Sequence, residues 1–291
     1  MTCAGRVTGS AGQRGGVTTW VRSREFVDSF REWRGPLLAP SPLSSDDRGT
    51  MLDRRDLLGA FTAYALLAEL GASRAARRTR STRAWLDRQE DLARGLAGGT
   101  LDSESWRREV KSLGREVDIE RLIGDALPSP AARALPTHPA RRILSYRDAD
   151  GRIRQQRYGV LLFQFDRTSV ITPHGHRGMQ SAHLVVQGKL RARTYDRVGE
   201  VPGALVLRPA GDRHLDTGEV SSIGPVRENV HWFVPLGEPA ATFDVVVTGL
   251  EPDGPDYELQ PVDPLGGADL GDGTLRAPLL GFEESARRYA G

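Results

Sequence analysis

P-H-G-H-R-G-M-Q-S-A-H-L-V-V-Q-G, residues 173–188, is the stretch on which the fold turns. His174 and His176 are two apart, and on a β-strand alternate residues share a face, so both imidazoles can point at one ion. Two surface histidines on a strand give the same spacing, so the pair alone is a weak signal. Its surroundings strengthen it. Around it, period-2 patterns and short apolar runs predict strands at 153–166, 168–173, 181–187, 189–196, 204–208, 213–217, 228–235 and 241–249, separated by Gly, Pro and Asp. About eight strands without intervening helices predict a mainly β sandwich or barrel. Five of the six histidines fall inside this region, between His174 and His231. His138 lies outside it and reads as solvated.

Upstream, Trp85, Leu86, Leu92 and Leu96 recur at helical spacing, with Ser81 or Thr82 as cap and Gly98-Gly99 as stop. Asp102 or Ser103 can cap a second helix through Trp106, Val110 and Leu113, and Asp118 a third. A helical segment is thus expected over 81–126, a proline-rich linker over 127–140, the β-body over 141–262 and a Gly/Pro/Asp-rich tail over 263–291 with a short helix at 282–290. Residues 1–50, rich in Gly, Arg, Ser, Thr and Pro, read as a disordered leader. Met51 precedes Arg54-Arg55 and an apolar stretch from Leu57 to Ala72, which resembles a twin-arginine export signal over 51–80. Export to the periplasm or extracellular space is the expectation, with cytoplasmic residence if those residues are instead an amphipathic helix. Met51 would then be the start, and 1–50 untranslated.

Composition removes several function classes. The chain of 291 residues carries 40 basic and 38 acidic side chains. A nucleic-acid partner usually demands a clear basic excess, so none is expected. Lys111 and Lys189 are the only lysines, an arginine bias that reflects genomic base composition. Cys3, the single cysteine, rules out an intramolecular disulfide and a cysteine-based zinc site. No apolar run reaches the roughly 18 residues needed to span a bilayer.

The residues of the β-region resemble the cupin superfamily, double-stranded β-helix barrels (jelly-roll-like) that hold a metal inside. Of the first cupin signature, G-x5-H-x-H-x3–4-E-x6-G, the chain has His174, His176 and Gly188, with Ser181 or Gln180 at the glutamate position. Of the second, G-x5-P-x-G-x2-H-x3-N, it has Gly203, Pro209, Gly211 and His214, with Gly218 replacing asparagine. A narrower resemblance is to cysteamine dioxygenases and plant cysteine oxidases. It rests on His174, His176, Gly178, Met179, Gly188, Tyr195 and Asp196, then on Asn229, Val230, His231, Phe233 and on Phe243, Asp244, Val245. It covers residues 160–249, less than a third of the chain. Arg177 stands where that family has proline, and its downstream tyrosine features are not evident beyond Tyr257, which weakens the thiol assignment more than the metal.

Carried over by position, the resemblance implies Fe(II) held by His174, His176 and His231 without a carboxylate, with O2 and a small-molecule substrate, here a thiol, as the reacting partners. His214 is the rival third ligand, and His231 is preferred because both its flanks match. Zn, Ni, Cu or Mn would suit the same three imidazoles. His183 shares parity with Ser181 and is a candidate extra ligand or donor, or an outward-facing side chain. Asp244 is a candidate for orienting a ligand or a substrate amine, or a plain salt bridge. Tyr195 is a candidate donor to an iron-bound oxygen, or a packing residue. Arg154, Arg157 and Arg177 are candidate carboxylate readers or solvated surface arginines. Two other classes stay open: a three-histidine dioxygenase acting on a non-thiol substrate, and a non-catalytic cupin that binds a small ligand. A homo-oligomer is compatible with either.

Overall fold

The computed structural model describes residues 80–290 except Glu238. The expected leader (1–50) and all but the last residue of the export signal (51–80) lie outside the described residues, as does Cys3. Among the described residues no helix is long and apolar enough to cross a membrane.

Three helices open the described chain: α1 (Thr82–Ala97), α2 (Ser103–Gly114) and α3 (Ile119–Gly124). Their N-caps are Ser81, Asp102 and Asp118, whose side chains accept from the backbone N–H of Ala84, Ser105 and Arg121. Each satisfies a donor that the first helical turn would otherwise leave open. Thirteen strands follow. β1 (Leu127–Pro128), β2 (Ala140–Ser145), β3 (Gly159–Phe165), β5 (Gln180–Gln187), β8 (Val220–Ile223) and β10 (Ala240–Val247) form one sheet in the order β1-β2-β3-β10-β5-β8. The other contains β4 (Ile171–Arg177), β6 (Lys189–Val201), β7 (Ala204–Asp216), β9 (Val230–Pro235), β11 (Glu258–Pro261), β12 (Ala268–Asp269) and β13 (Leu275–Pro278), in the order β11-β4-β9-β6-β7-β13-β12. The short helix α4 (Phe282–Tyr289) closes the chain.

All the ladders that join neighbouring strands are antiparallel. The central strands alternate between sheets: β3, β5, β8 and β10 in one, β4, β6, β7 and β9 in the other. Four-strand orders β3-β10-β5-β8 and β4-β9-β6-β7 are those of the double-sheet jelly roll. The fold is therefore mainly β, with a helical segment on its N-terminal side, in two facing sheets rather than one continuous ladder.

Parity fixes what each face does. On β5, Ala182, Leu184 and Val186 point outward and join Trp85, Leu86, Trp106 and Leu113 of the helices in one buried cluster with Phe243 and Val245 of β10. Both faces of β5 and β10 are covered, so these strands are buried along nearly their whole length, with the polar Ser181, His183 and Asp244 on the face opposite the helices. Trp85, Tyr146 and Tyr158 anchor the helices through hydrogen bonds to Leu113 O, Leu122 O and Leu86 O. The outer face of the second sheet buries Leu205, Leu207 and Val230 against Val262 and Ala277.

Several boundaries differ from the sequence expectation. The stretch 127–140 is not a free linker: β1 pairs with β2, and Ala132 bridges Arg141. The region 263–291 is not a loose tail, because β13 extends the second sheet and α4 docks through Tyr289, whose hydroxyl donates to Asp263 and whose ring meets Trp232. Segments 204–208 and 213–217 are one strand, β7. β8 has no counterpart among the expected strands, since V-S-S-I has neither apolar length nor alternation.

Candidate metal centre

His174 and His176 lie on β4, and His231 lies on the adjacent strand β9, with His174 and His231 directly paired across the ladder. Ring centroids are 4.9 Å apart for His174–His176, 4.4 Å for His174–His231 and 5.0 Å for His176–His231. One donor nitrogen from each lies within 4.8 Å of the others. First-row cations bond imidazole nitrogen at about 2.1 Å, so three donors at this spacing suit a single shared ion.

The hydrogen bonds separate these three rings from the fourth. His174 Nδ1 is 2.8 Å from Thr172 O. A carbonyl only accepts, so Nδ1 carries the proton and Nε2 offers its lone pair. Both ring nitrogens of His176 and Nδ1 of His231 are buried without a hydrogen-bond partner. Unpartnered buried polar atoms are costly and uncommon. A cation would take up one lone-pair nitrogen of each ring, while the N–H of His176 would still need an acceptor. His183, by contrast, is fully engaged: Nδ1 is 2.7 Å from Asp244 Oδ2 and Nε2 is 3.0 Å from Ser181 Oγ. It faces the same interior, 4.9 Å in ring centroid from His231, but has no free lone pair for an ion. The reading of His183 as an extra ligand is therefore corrected to a hydrogen-bonded neighbour of the cluster.

Burial sets the electrostatics. Removal from water pushes the His174 imidazole down to about 4. Burial, followed by repulsion from neighbouring imidazoles, holds His176 and His231 well below the ordinary histidine range. All three are thus neutral near pH 7, the form that ligates metal. Asp244, 1% exposed, is the carboxylate on this interior wall; its Oδ1 is buried and unpartnered.

Other candidates lie elsewhere. Tyr195 does not face the imidazoles. Leu190, Ala192 and Thr194 of β6 point inward, so Tyr195 has the opposite parity and packs with the outer cluster around Leu205 and Val230. His214 is exposed and pairs in register with Arg191 on the outer side, so it is not in the cluster and the rival triad is not assembled. Arg177 pairs with Glu200, Arg154 with Asp87, and Arg157 donates to Thr248 O, so these arginines are engaged away from the imidazoles. His138 is half-buried rather than solvated, and burial lowers its imidazole to about 4. Sequence reasoning placed no role on Asn229 beyond its motif, yet it is completely buried and its amide grips the backbone of His176.

No protein-family model and no curated protein matches the chain. Similar solved structures include KdgF from Halomonas sp., with 18% identity, a TM-score of 0.29, and coverage of 40% of this chain and 84% of that one. Another is an uncharacterized conserved protein with a double-stranded beta-helix domain from Klebsiella pneumoniae, with 20% identity, a TM-score of 0.29 and coverage of 44% and 89%. A third is the Cnp3 cupin domain of Schizosaccharomyces pombe, with 9% identity, a TM-score of 0.28 and coverage of 41% and 68%. By the path of its own strands, the body spanning residues 159–247 is a double-stranded β-helix of jelly-roll type with three imidazoles gathered against one inner wall.

Proposed function

We propose that this protein is a metal-dependent cupin enzyme, an iron dioxygenase that adds both atoms of O2 to the sulfur of a small thiol. The observation that carries the metal part is the convergence of three neutral imidazoles, the half-buried His174 and the buried His176 and His231, the last two with ring nitrogens that have no partner within the protein. The thiol part rests on the resemblance of residues 160–249 and on the lack of a carboxylate in the cluster.

His174, His176 and His231 would hold the ion. Ferrous iron bound there would supply the electrons that bring O2 into reaction with a thiolate. The overall change balances as RSH + O2 giving RSO2H, with sulfur oxidised by four electrons and O2 reduced by four. The chain's own contribution is positional. Thr172 O fixes the His174 ring through its Nδ1–H, the kind of outer support that orients metal-ligating imidazoles. The opposite wall presents Ser181, His183 and Asp244 as one hydrogen-bonded chain. Asp244 Oδ1 is left to accept from a donor group of the substrate.

Elemental analysis of the purified protein, followed by oxygen consumption with cysteine, cysteamine and 3-mercaptopropionate, tests the proposal. Iron in near-equimolar amount and oxygen uptake with at least one thiol, giving a sulfinate, is the expected result. Iron without uptake on any thiol would overturn the thiol assignment and favour a non-thiol substrate. A protein that neither contains iron nor takes it up would leave a ligand-binding cupin.

A further inference from the structure

We infer that Asn229 is a positioning residue for the imidazole cluster, and that Arg107 of the N-terminal helices controls it through Glu228. This rests on the metal-centre reading above and adds roles that the sequence resemblance does not assign.

The β4–β9 ladder is irregular next to the cluster: its pairs are Ile171 with Phe233 and His174 with His231, with a register shift between them. Beyond His174 the Asn229 side chain takes the ladder's place. Its Oδ1 accepts from His176 N at 3.3 Å, and its Nδ2 donates to His176 O at 2.9 Å. The amide thus mimics the bond pair of a missing strand residue and clamps the backbone of one imidazole bearer to the segment that carries another, His231. Nδ2 also donates to Gly224 O at 2.9 Å, tying in the far end of the β8–β9 loop. Gly175, between the two β4 histidines, completes the fit. A Cβ there would meet Asn229 Oδ1 at 3.0 Å, with Leu205 and Val230 side-chain atoms at 3.3 Å. The glycine in H-G-H therefore makes room for this amide.

The residue before Asn229 is held by β6 on one side and by α2 on the other. Glu228, at φ 50, is the one non-glycine residue with positive φ among those described. Such a conformation is sparsely populated for a side-chain-bearing residue and persists when its surroundings impose it. Three contacts hold it here: the Glu228 N–H donates to Asp196 Oδ1 at 2.8 Å, and its carboxylate pairs with Arg107 and, at 3.6 Å, with Lys111. Arg107, 5% exposed on α2, also donates to Ser222 O at 3.1 Å, so its guanidinium joins the end of β8 to the loop. Gly224 admits the Arg107 stem closely, since a Cβ there would lie 3.2 Å from its Cδ. A continuous path runs from α2 through Arg107, Glu228 and Asn229 to the backbone of His176.

The test is Co(II) binding, read by visible absorption and by titration, on the full chain and on Asn229→Asp, Arg107→Met and Glu228→Gly. Each is normalised to the folded fraction from circular dichroism. The expected result is a folded N229D protein with a shifted Co(II) spectrum and affinity about 10-fold weaker or more, the range seen when supporting groups of metal ligands are removed. R107M and E228G should show a smaller change of the same sign. A merely structural role would lower the melting temperature without moving spectrum or affinity, and folded variants that match the parent within twofold would overturn the inference. Should R107M fail to fold, Arg107→Lys, which keeps charge but not the fork, is read by the same criteria. A parent protein that binds no Co(II) would sink the metal reading itself, a separate outcome.

Discussion

The cost of withdrawing four imidazoles wholly or partly from water appears in the pH response of the metal-free protein. His138 and His174 are lowered to about 4, and His176 and His231 well below the ordinary value, with burial the largest cause in each. Their folded forms stay neutral where the unfolded chain, with imidazoles near 6.5, takes up protons. The unfolded state therefore binds more protons between about pH 6.5 and 4, and stability falls as pH falls through that window. We expect urea midpoints of the metal-free protein to be level above pH 7 and to drop steeply towards pH 4, by an amount on the order of a few kcal/mol. A flat profile across that window would contradict the burial of these rings. His231→Ala is expected to abolish metal uptake and His214→Ala to leave it intact, as elemental analysis of both proteins would show. At this scale the sequence was most informative where period 2 applied: His174 and His176 share a face because they are two apart. The face taken by Tyr195 was not legible, because its parity must be counted from Leu190 and Ala192, and only the assembled sheet reveals that those two point inward. The engagement of His183 by Asp244 joins residues 61 apart in sequence, and no local pattern shows it.

Among elements, the three helices were legible because their caps and apolar spacing are local, whereas β8 and the paired portion of 127–140 were not. β8 is four residues with two serines, and its place is settled by β5 on one side and α2 above it. The contact of α2 with β8 is unusually close. A Cβ on Gly114 would lie 2.2 Å from Val220 Cγ2, while one on Gly124, at the end of α3, would meet nothing within 4 Å. Alanine in place of a helical glycine ordinarily gains up to about 1 kcal/mol. At Gly124 that gain is expected to appear as a slightly raised melting temperature. At Gly114 overpacking of about 1–3 kcal/mol should outweigh it, so Gly114→Ala should melt several degrees lower. Differential scanning calorimetry on the two variants makes the comparison directly.

Taken whole, the molecule buries its first sheet under helices and the outer face of its second against C-terminal residues such as Val262, Ala277 and Tyr289. Removing residues 80–126 would bare Leu184, Val186, Phe243 and Val245, a contiguous apolar face. A chain beginning at residue 127 is expected to be insoluble or aggregated, which size-exclusion chromatography would show. The proposed export signal gives a further expectation: replacing Arg54 and Arg55 together by lysine should stop export of the full chain, measured by fractionating a producing cell. Finally, His174, His176 and His231 stand on two neighbouring strands of one sheet, whereas Ser181, His183 and Asp244 stand on the other. Grip and governance are thus lodged in separate halves of the sandwich. On the proposed function, heat or mutation that prised the halves apart would leave the ion held while its opposite wall retreated and water flooded in. Such damage would then yield a loaded but undisciplined protein, its choice of reactant failing before its hold on the cation.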